Sequence, residues 1–304
     1  MRRVLTLIAV FAATLLLGGP SVAGTSVWVV DNDGADCPKA DFTTIQAAVT
    51  AAAPGDTILV CAGVYHERVT VTTSDLTLRA KGTPEDVIVD ADLLGNGIRL
   101  TGTSGVTVEG FTVREGHDND IFLVNANGNT IRKNVLTAAV HDPLELLNSD
   151  DNLIEHNLSI DNLAVNACGI FLAGGSDRNI VRHNTLRNNE WGIQIAGSND
   201  NVIFDNDAIG NRGNGIRNLG NASGTVIEGN RIFDNGLTPG PLTGGTNAGI
   251  RLVSGTGLLV ARNHVFGNQA VDIRQEAATA TFENNHCNTS SPPGICAHDE
   301  GEGH

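Results

Sequence analysis

The chain has 304 residues, with 19 Lys and Arg against 34 Asp and Glu, for a net charge of −15. So acidic a surface repels nucleic acid and anionic bilayers, which excludes both as expected partners. The length would hold two domains, but a single repeat runs through most of it and reads as one.

In chain order, Met1-Arg2-Arg3 is a basic start, Val4 to Leu17 is an apolar run, and Ser21-Val22-Ala23 is a small-residue cleavage site. Residues 1–23 therefore read as a secretory signal peptide, which sends the mature chain outside the cell. The apolar run is too short to span a bilayer comfortably, so no membrane insertion is expected. Residues 24–55 read as an amino-terminal strand and helical cap. The strand is Trp28 to Val30, and a helical spacing covers Asp41 to Ala52 until Pro54-Gly55-Asp56 stops it. Such a helix would cover the open end of a stacked fold. Strands are predicted at Thr57 to Cys61, Arg68 to Val71, Leu76 to Leu78 and Val87 to Val89. Five cysteines suit an oxidising compartment. Cys37 and Cys61 flank the cap and are candidates to close it by a disulfide. Cys287 and Cys296 bracket a Pro-Pro-Gly turn and are candidates at the other end. Cys168 is odd and reads as a small buried residue. No CxxC pair exists, so no metal is assigned.

From Gly97 onward a tetrad recurs: Gly97-Ile98-Arg99-Leu100, Asp120-Ile121-Phe122-Leu123, Pro143-Leu144-Glu145-Leu146, Gly169-Ile170-Phe171-Leu172, Gly192-Ile193-Gln194-Ile195, Gly215-Ile216-Arg217-Asn218 and Gly249-Ile250-Arg251-Leu252, with Asp272-Ile273-Arg274 as a worn eighth copy. The steps are 23, 23, 26, 23, 23, 34 and 23 residues. No such repeat buries its apolar face alone, so neighbours must stack into a solenoid. Apolar residues alternate at period two, and Gly, Asn and Asp interrupt them every few residues. That predicts three short strands and three bends per coil, an all-β parallel β-helix over 56–286 of about ten coils. A second register ends a strand in asparagine at Asn134, Asn157, Asn184, Asn206, Asn230, Asn263 and Asn285. Another set follows at Asn162, Asn189, Asn211, Asn235 and Asn268. Asparagine tolerates left-handed backbone and forms amide ladders when stacked, so these are expected structural bend residues. The long step places extra residues in Asp234 to Asn247, a loop bulging from one bend. Residues 287–304 read as a carboxy-terminal cap and disordered tail, and the chain is expected to be a monomer.

Phe42-Thr-Thr-Ile-Gln-Ala-Ala-Val, Pro54-Gly-Asp-Thr-Ile and Gly63-Val-Tyr65-His-Glu67 together resemble the opening of secreted right-handed parallel β-helix proteins of the pectin-lyase-like superfamily. The later coils resemble the NosD-like and carbohydrate-binding/sugar-hydrolase repeats of that superfamily. The resemblance implies a single-stranded right-handed helix. Members include polysaccharide lyases, uronate epimerases, glycoside hydrolases and proteins without known catalysis. The Gly-His-Gly and Arg-Ile-Lys of polygalacturonases are missing, as is a pectate-lyase set of calcium-binding aspartates. Asp31-Asn-Asp33-Gly-Ala-Asp36 reads as a turn rather than a calcium loop.

In each tetrad the residue after the first apolar one points outward. That column reads Arg99, Phe122, Glu145, Phe171, Gln194, Arg217, Arg251, Arg274. Guanidinium groups suit carboxylates or sulfates, and rings suit sugar faces. The expected partner is a polysaccharide or cell-surface glycan of acidic character. One cluster suggests turnover. Asp118 and His141 each sit three residues before a tetrad's first apolar residue, and so should be neighbours across one coil, flanked by His117 and Asp142. Histidine beside carboxylate suits acid/base work. His141 as base, Glu145 as acid and Arg99 as counter-cation would serve a uronate lyase or C5-epimerase. Uronate epimerases of the superfamily carry Asp-Pro-His-Asp at a comparable place; the order here is His141-Asp142-Pro143. A non-catalytic structural or adhesion module is the third alternative, and no cofactor is expected.

Overall fold

The computed structural model describes residues 25–236 and 247–297. The signal-peptide reading, the middle of the Asp234–Asn247 loop and the tail from His298 fall outside the described residues.

Three parallel sheets of 11, 10 and 10 strands wind into a right-handed β-helix of about ten coils. We call them A, B and C, in the order in which each coil visits them. Thr57–Val60 lies in A, Gly63–His66 in B and Val69–Val71 in C, and the next coil repeats the sequence. Sheet C carries the tetrads in strict register, so Ile98 pairs with Ile121 and Ile121 with Leu144. Their alternate residues Ile98, Leu100, Ile121, Leu123, Leu144 and Leu146 are fully buried. Period-two alternation thus turns one side of every strand into core. The tetrad glycine has a packing reason. At Gly192 a Cβ would collide with the Gly215 carbonyl of the next coil.

The cap helix is shorter than predicted, Ile45–Ala51, with Thr44 as its N-cap. Asp41 and Phe42 are withdrawn from it because they extend along the first strand: the Phe42 amide donates to the Val29 carbonyl at 3.1 Å, and the Asp31 amide to the Phe42 carbonyl at 3.0 Å. Glu67 accepts the Ile45 and Gln46 amides at 2.8 and 3.0 Å, which satisfies donors a helix start leaves open. Gly63–His66 is a strand the apolar pattern did not reveal, since its only fully buried side chain is Tyr65, whose hydroxyl donates to the Cys61 carbonyl at 2.9 Å. Cys37–Cys61 and Cys287–Cys296 are disulfides, and Cys168 is free and buried.

Asparagines line three bends. Asn184 is typical: its Oδ1 accepts the amide of Asn157 at 2.9 Å and its Nδ2 at 3.0 Å, while its own Nδ2 donates to the Ile154 carbonyl and to Asn206 Oδ1. The same links join Asn134 through Asn285, and a parallel series joins Asn162 through Asn268. A third runs from Asn129 through Asn152 and Asn179 to Asn201. The expectation that these asparagines take the left-handed backbone is not met. The positive φ belongs to the residue before each one, such as His156 (56°), His183 (53°) and Asp205 (50°). The asparagine side chain must instead reach along the stack, which fixes its own backbone in the strand entry.

Asp120 fills a gap in this system. Ala139 stands where a ladder asparagine would receive the Gly116 amide, and Asp120 Oδ1 accepts that amide instead, at 3.1 Å. Asp272 does the same at the other end, accepting the Asn268 amide at 3.2 Å. Asp120 is fully buried, its Oδ2 has no partner, and burial pushes its carboxyl well above the usual carboxylate range.

Two stability tests follow from this geometry. Asn206→Ala removes the acceptor of Asn184 and the bonds donated to Val181, Phe204 and Asn230, and should cost about 3 kcal/mol or more in urea unfolding. A raised carboxyl stabilises the fold fully only below its unfolded pKa, and that contribution is lost as pH rises through the folded value. Asp120→Asn should therefore be more stable than the parent at neutral pH, by about 1–3 kcal/mol. The two should converge near about pH 3, below the ordinary carboxylate range.

Candidate functional site

The outward column of sheet C is one register-locked row: Arg99 beside Phe122, then Glu145, Phe171, Gln194, Arg217, Arg251 and Arg274. Strand pairing sets the spacing, so each side chain lies about 4.8 Å from the next along the axis. The row is not freely solvated. Gln194 is buried and the other members are half-buried. The Arg99 guanidinium lies over the Phe122 ring at 5.6 Å, and its Nε donates to Thr101 Oγ1 at 3.1 Å. Arg251 is committed to Glu276 by a 2.8 Å Nε–Oε1 pair. Arg217 stacks over Trp191 at 5.3 Å and has no carboxylate partner among the described residues. Arg274 Nε is buried without an acceptor.

The bend entering sheet C folds over this row at one coil. His141, Asp142 and Glu145 bring one nitrogen and two carboxylate oxygens within 4.8 Å of each other. The expected pairing of His141 with Asp118 does not form. His141 Nδ1 instead meets Asp142 Oδ2 at 2.9 Å, while Asp118 contacts His117 at 3.3 Å on the exposed side. The cause is the next coil: the Cys168 amide donates to Asp142 Oδ1 and holds that carboxylate inside the bend, beneath the imidazole. Asp118 reaches His141 only through its field. The site also contains a residue that sequence reasoning missed. Asn119 Nδ2 donates to the Asp142 carbonyl at 2.7 Å and to Glu145 Oε2 at 3.1 Å, tying bend to strand. It stands directly before its tetrad, a place that other coils fill with Asp142, Cys168 and Trp191, so no constant residue type exposed it.

Electrostatics follow from this packing. The hydrogen bond to Asp142 holds the His141 pKa above its ordinary value against partial desolvation. Burial raises Glu145, and the nearby Asp142 charge adds to it, while the Asn119 hydrogen bond and His141 oppose. Burial and Asp142 push the Cys168 thiol far up, so it stays protonated and unreactive. The arrangement is an imidazole anchored on a buried carboxylate, facing a carboxyl whose proton is unusually well held. Such a pair can exchange protons with a bound molecule near neutral pH.

A family model described as "Periplasmic copper-binding protein (NosD)" matches residues 73–291, well over half the chain. Copper suits thiolate, thioether or clustered imidazole ligands. The described residues do not supply them. Four cysteines are in disulfides and the fifth is a buried thiol. The histidine pairs His156/His183 and His264/His286 stack face to face at 5.0 and 4.9 Å, so their nitrogen lone pairs run side by side rather than converging. The two described clusters with three possible ligands, His141/Asp142/Glu145 and His66/Asp90/Asp92, each hold one imidazole, and Asp90 is already paired with Arg114 at 2.8 Å.

Among solved structures, an alginate lyase from Paenibacillus sp. str. FPU-7 is similar with a TM-score of 0.64 and 16% identity, covering 82% of this chain and 93% of that one. Pectate lyase Pel9A gives 0.62 and 16%, covering 92% and 83%. The periplasmic alginate epimerase AlgG gives 0.57 and 15%, covering 81% and 82%. At such identities the likeness is one of fold. No curated protein matches the chain. The stacked coils and the family match over residues 73–291 together make this chain a member of the NosD family, within the pectin-lyase-like parallel β-helices.

Proposed function

We propose that this is an exported protein that binds an acidic polysaccharide, a polyuronate, along the outward row of sheet C. The carrying observation is that row itself: four arginines and two phenylalanines, one residue per coil, on a chain of net charge −15. A pyranose chain laid along the axis meets a new side chain at roughly each sugar. Guanidinium groups recognise its carboxylates and the rings its apolar faces. The alginate lyase, pectate lyase and alginate epimerase to which the fold is similar bear names of uronate chemistry, which supports this choice of polymer. Paired disulfides suit an oxidising space outside the cytosol.

The anchored His141 and proton-holding Glu145 favour a second reading, turnover as a lyase or C5-epimerase. In this reading Glu145 acts in its ionised form and His141 in its protonated form, which the Asp142 carboxylate beside the imidazole favours; the roles are the reverse of those expected from sequence. Glu145 then takes the proton beside the uronate carboxylate, and His141 protonates the leaving glycosidic oxygen in elimination. In epimerisation it would return a proton to the carbon instead. Arg99 faces the carboxylate.

Two measurements test these readings. Mature chain mixed with alginate, polygalacturonate and a neutral glucan, followed by proton NMR, should show line broadening for an acidic polymer only. Phe171→Ala and Arg274→Gln should each weaken that binding about tenfold, or about 1.4 kcal/mol. No response to any acidic polymer contradicts the proposal. If unsaturated or new anomeric signals also grow, kcat/KM should follow a bell in pH. Its acid limb should lie above the ordinary carboxylate range, where Glu145 ionises, and its alkaline limb above the ordinary histidine value. Asp142→Asn should pull the alkaline limb down, and signals that persist in His141→Ala with Glu145→Ala would remove this site from the chemistry.

A further inference from the structure

Three buried N–H donors without acceptors lie on two adjacent coils of sheet C and the bend between them: Trp191 Nε1, Asn214 Nδ2 and Arg217 Nε. Asn214 is fully buried, and Trp191 nearly so. Unsatisfied buried polar groups are rare in folded proteins, and each calls for a reason. Here all three are donors, and one belongs to a cation.

The surroundings are built to hold them. Trp191 opens its strand directly after the bend, paired across the coil with Cys168. Its Cδ1–Nε1 edge lies flat against Gly213, where any Cβ would collide with the indole. Gly213 does not need left-handed backbone; it is small because the ring occupies the space. Arg217 covers the same ring, with its guanidinium carbon 5.3 Å from the centroid. Asn214 follows Gly213 and is fixed by its own Oδ1, which accepts the Ala248 amide at 2.9 Å. Arg217 contributes a hydrogen bond of 3.4 Å to Gln194 Oε1 and nothing shorter. Among the described residues, the carboxylate whose field reaches it is Glu276, and that is held by Arg251. Burial and the neighbouring Arg251 charge both weigh against the Arg217 cation, which has no ion-paired carboxylate among the described residues.

We infer that Trp191, Asn214 and Arg217 form an oxyanion seat, a carboxylate or sulfate subsite three coils along the axis from Glu145. The inference rests on the polysaccharide reading and deepens it. It assigns to one place in the row the recognition of an anionic sugar over a neutral one. The spacing implies that the group seated at Arg217 belongs to a sugar roughly three residues from the one at Glu145, since each coil advances about 4.8 Å. Trp191 is a positioning residue as well as a donor, since it sets the plane of the guanidinium, and Gly213 positions Trp191.

The indole N–H signals of mature chain, observed by 15N NMR, test this directly. The chain has two tryptophans, and Trp28→Phe assigns the peaks. Galacturonate or inorganic sulfate, titrated separately, should shift the Trp191 peak saturably, and galactose should not. The stronger of the two acids identifies which oxyanion the seat prefers. Arg217→Gln and Arg217→Lys should each raise the apparent Kd at least tenfold, the lysine because it lacks the planar fork. Gly213→Ala should do the same by displacing the indole, with the sheet signature in circular dichroism retained. A Trp191 peak that stays still with both anions, or that responds equally in Arg217→Lys, overturns the seat. Polyuronate binding that survives Arg217→Gln unchanged overturns the seat and leaves the polysaccharide reading intact. A saturable Trp191 shift without any polymer binding does the reverse.

Discussion

Every bend in a parallel β-helix turns the chain out of one sheet and into the next, and there the backbone amides lose their strand partners. Inside a stack they also lose water. This protein answers with side-chain amides, each accepting from the coil before it and donating both forward and back. One residue type supplies donor and acceptor at once, so a single repeated choice satisfies a whole edge of the rod. The apolar interior then has only to alternate, and the outward face is left open to chemistry. Where the amide series breaks, a carboxylate four residues past the donating amide takes over, Asp120 for Gly116 and Asp272 for Asn268. At Asp120 that substitution buries an oxygen with no partner, the one place in this series where the repair is incomplete.

The same stacking governs what the sequence makes legible. Repeats of 23 residues state the coil, and the outward column of sheet C follows from alternation alone. The asparagines announce themselves by position, although their backbone does not do what their identity suggests: the preceding residue, most often Asp or Gly, carries the positive φ. The site is harder to read because it is made of exceptions. Asn119 shares its place before the tetrad with residues of unlike chemistry, Asp142, Cys168 and Trp191 among them. Asp142 is caught by an amide 26 residues later rather than by the neighbour that the spacing proposes. Arg251 is removed from the free cations by Glu276, 25 residues on and outside the tetrad. Trp191 and Gly213 are meaningful only as a pair that meets across a coil. A repeat defines what is common to all coils, and function is placed where one coil differs.

Charge is distributed unevenly to match. On the sheet A face, opposite charges alternate along the stack and neutralise one another, as in Glu109 with Arg132 at 2.7 Å and Glu155 with Arg182 at 2.7 Å. Such pairs contribute little stability individually when partly exposed. In the sheet C row, among the described residues, such cancellation is confined to Arg251 with Glu276. Carboxylates gather near Glu145, with Arg99 two coils before it, and guanidinium groups gather beyond Gln194, so the row has an acidic stretch and a basic stretch. A polymer laid along it meets two different fields.

The two ends of the rod have a further importance. An open strand edge is a template for another chain, and a solenoid has one at each end of each sheet. At the start of sheet C that edge is occupied. The side-chain amide of Gln46 accepts from Thr70 at 2.7 Å and donates to its carbonyl at 3.3 Å, in the manner of a neighbouring strand one residue long. At the far end of sheet B, Ala297 doubles back to donate to the Asn285 carbonyl at 2.7 Å, just outside the loop that Cys287–Cys296 closes. Both closures are small, and one depends on an oxidised thiol pair. A molecule that lost them would present mutually complementary parallel edges, and rods could concatenate head to tail into filaments. The caps therefore keep a potentially endless architecture finite.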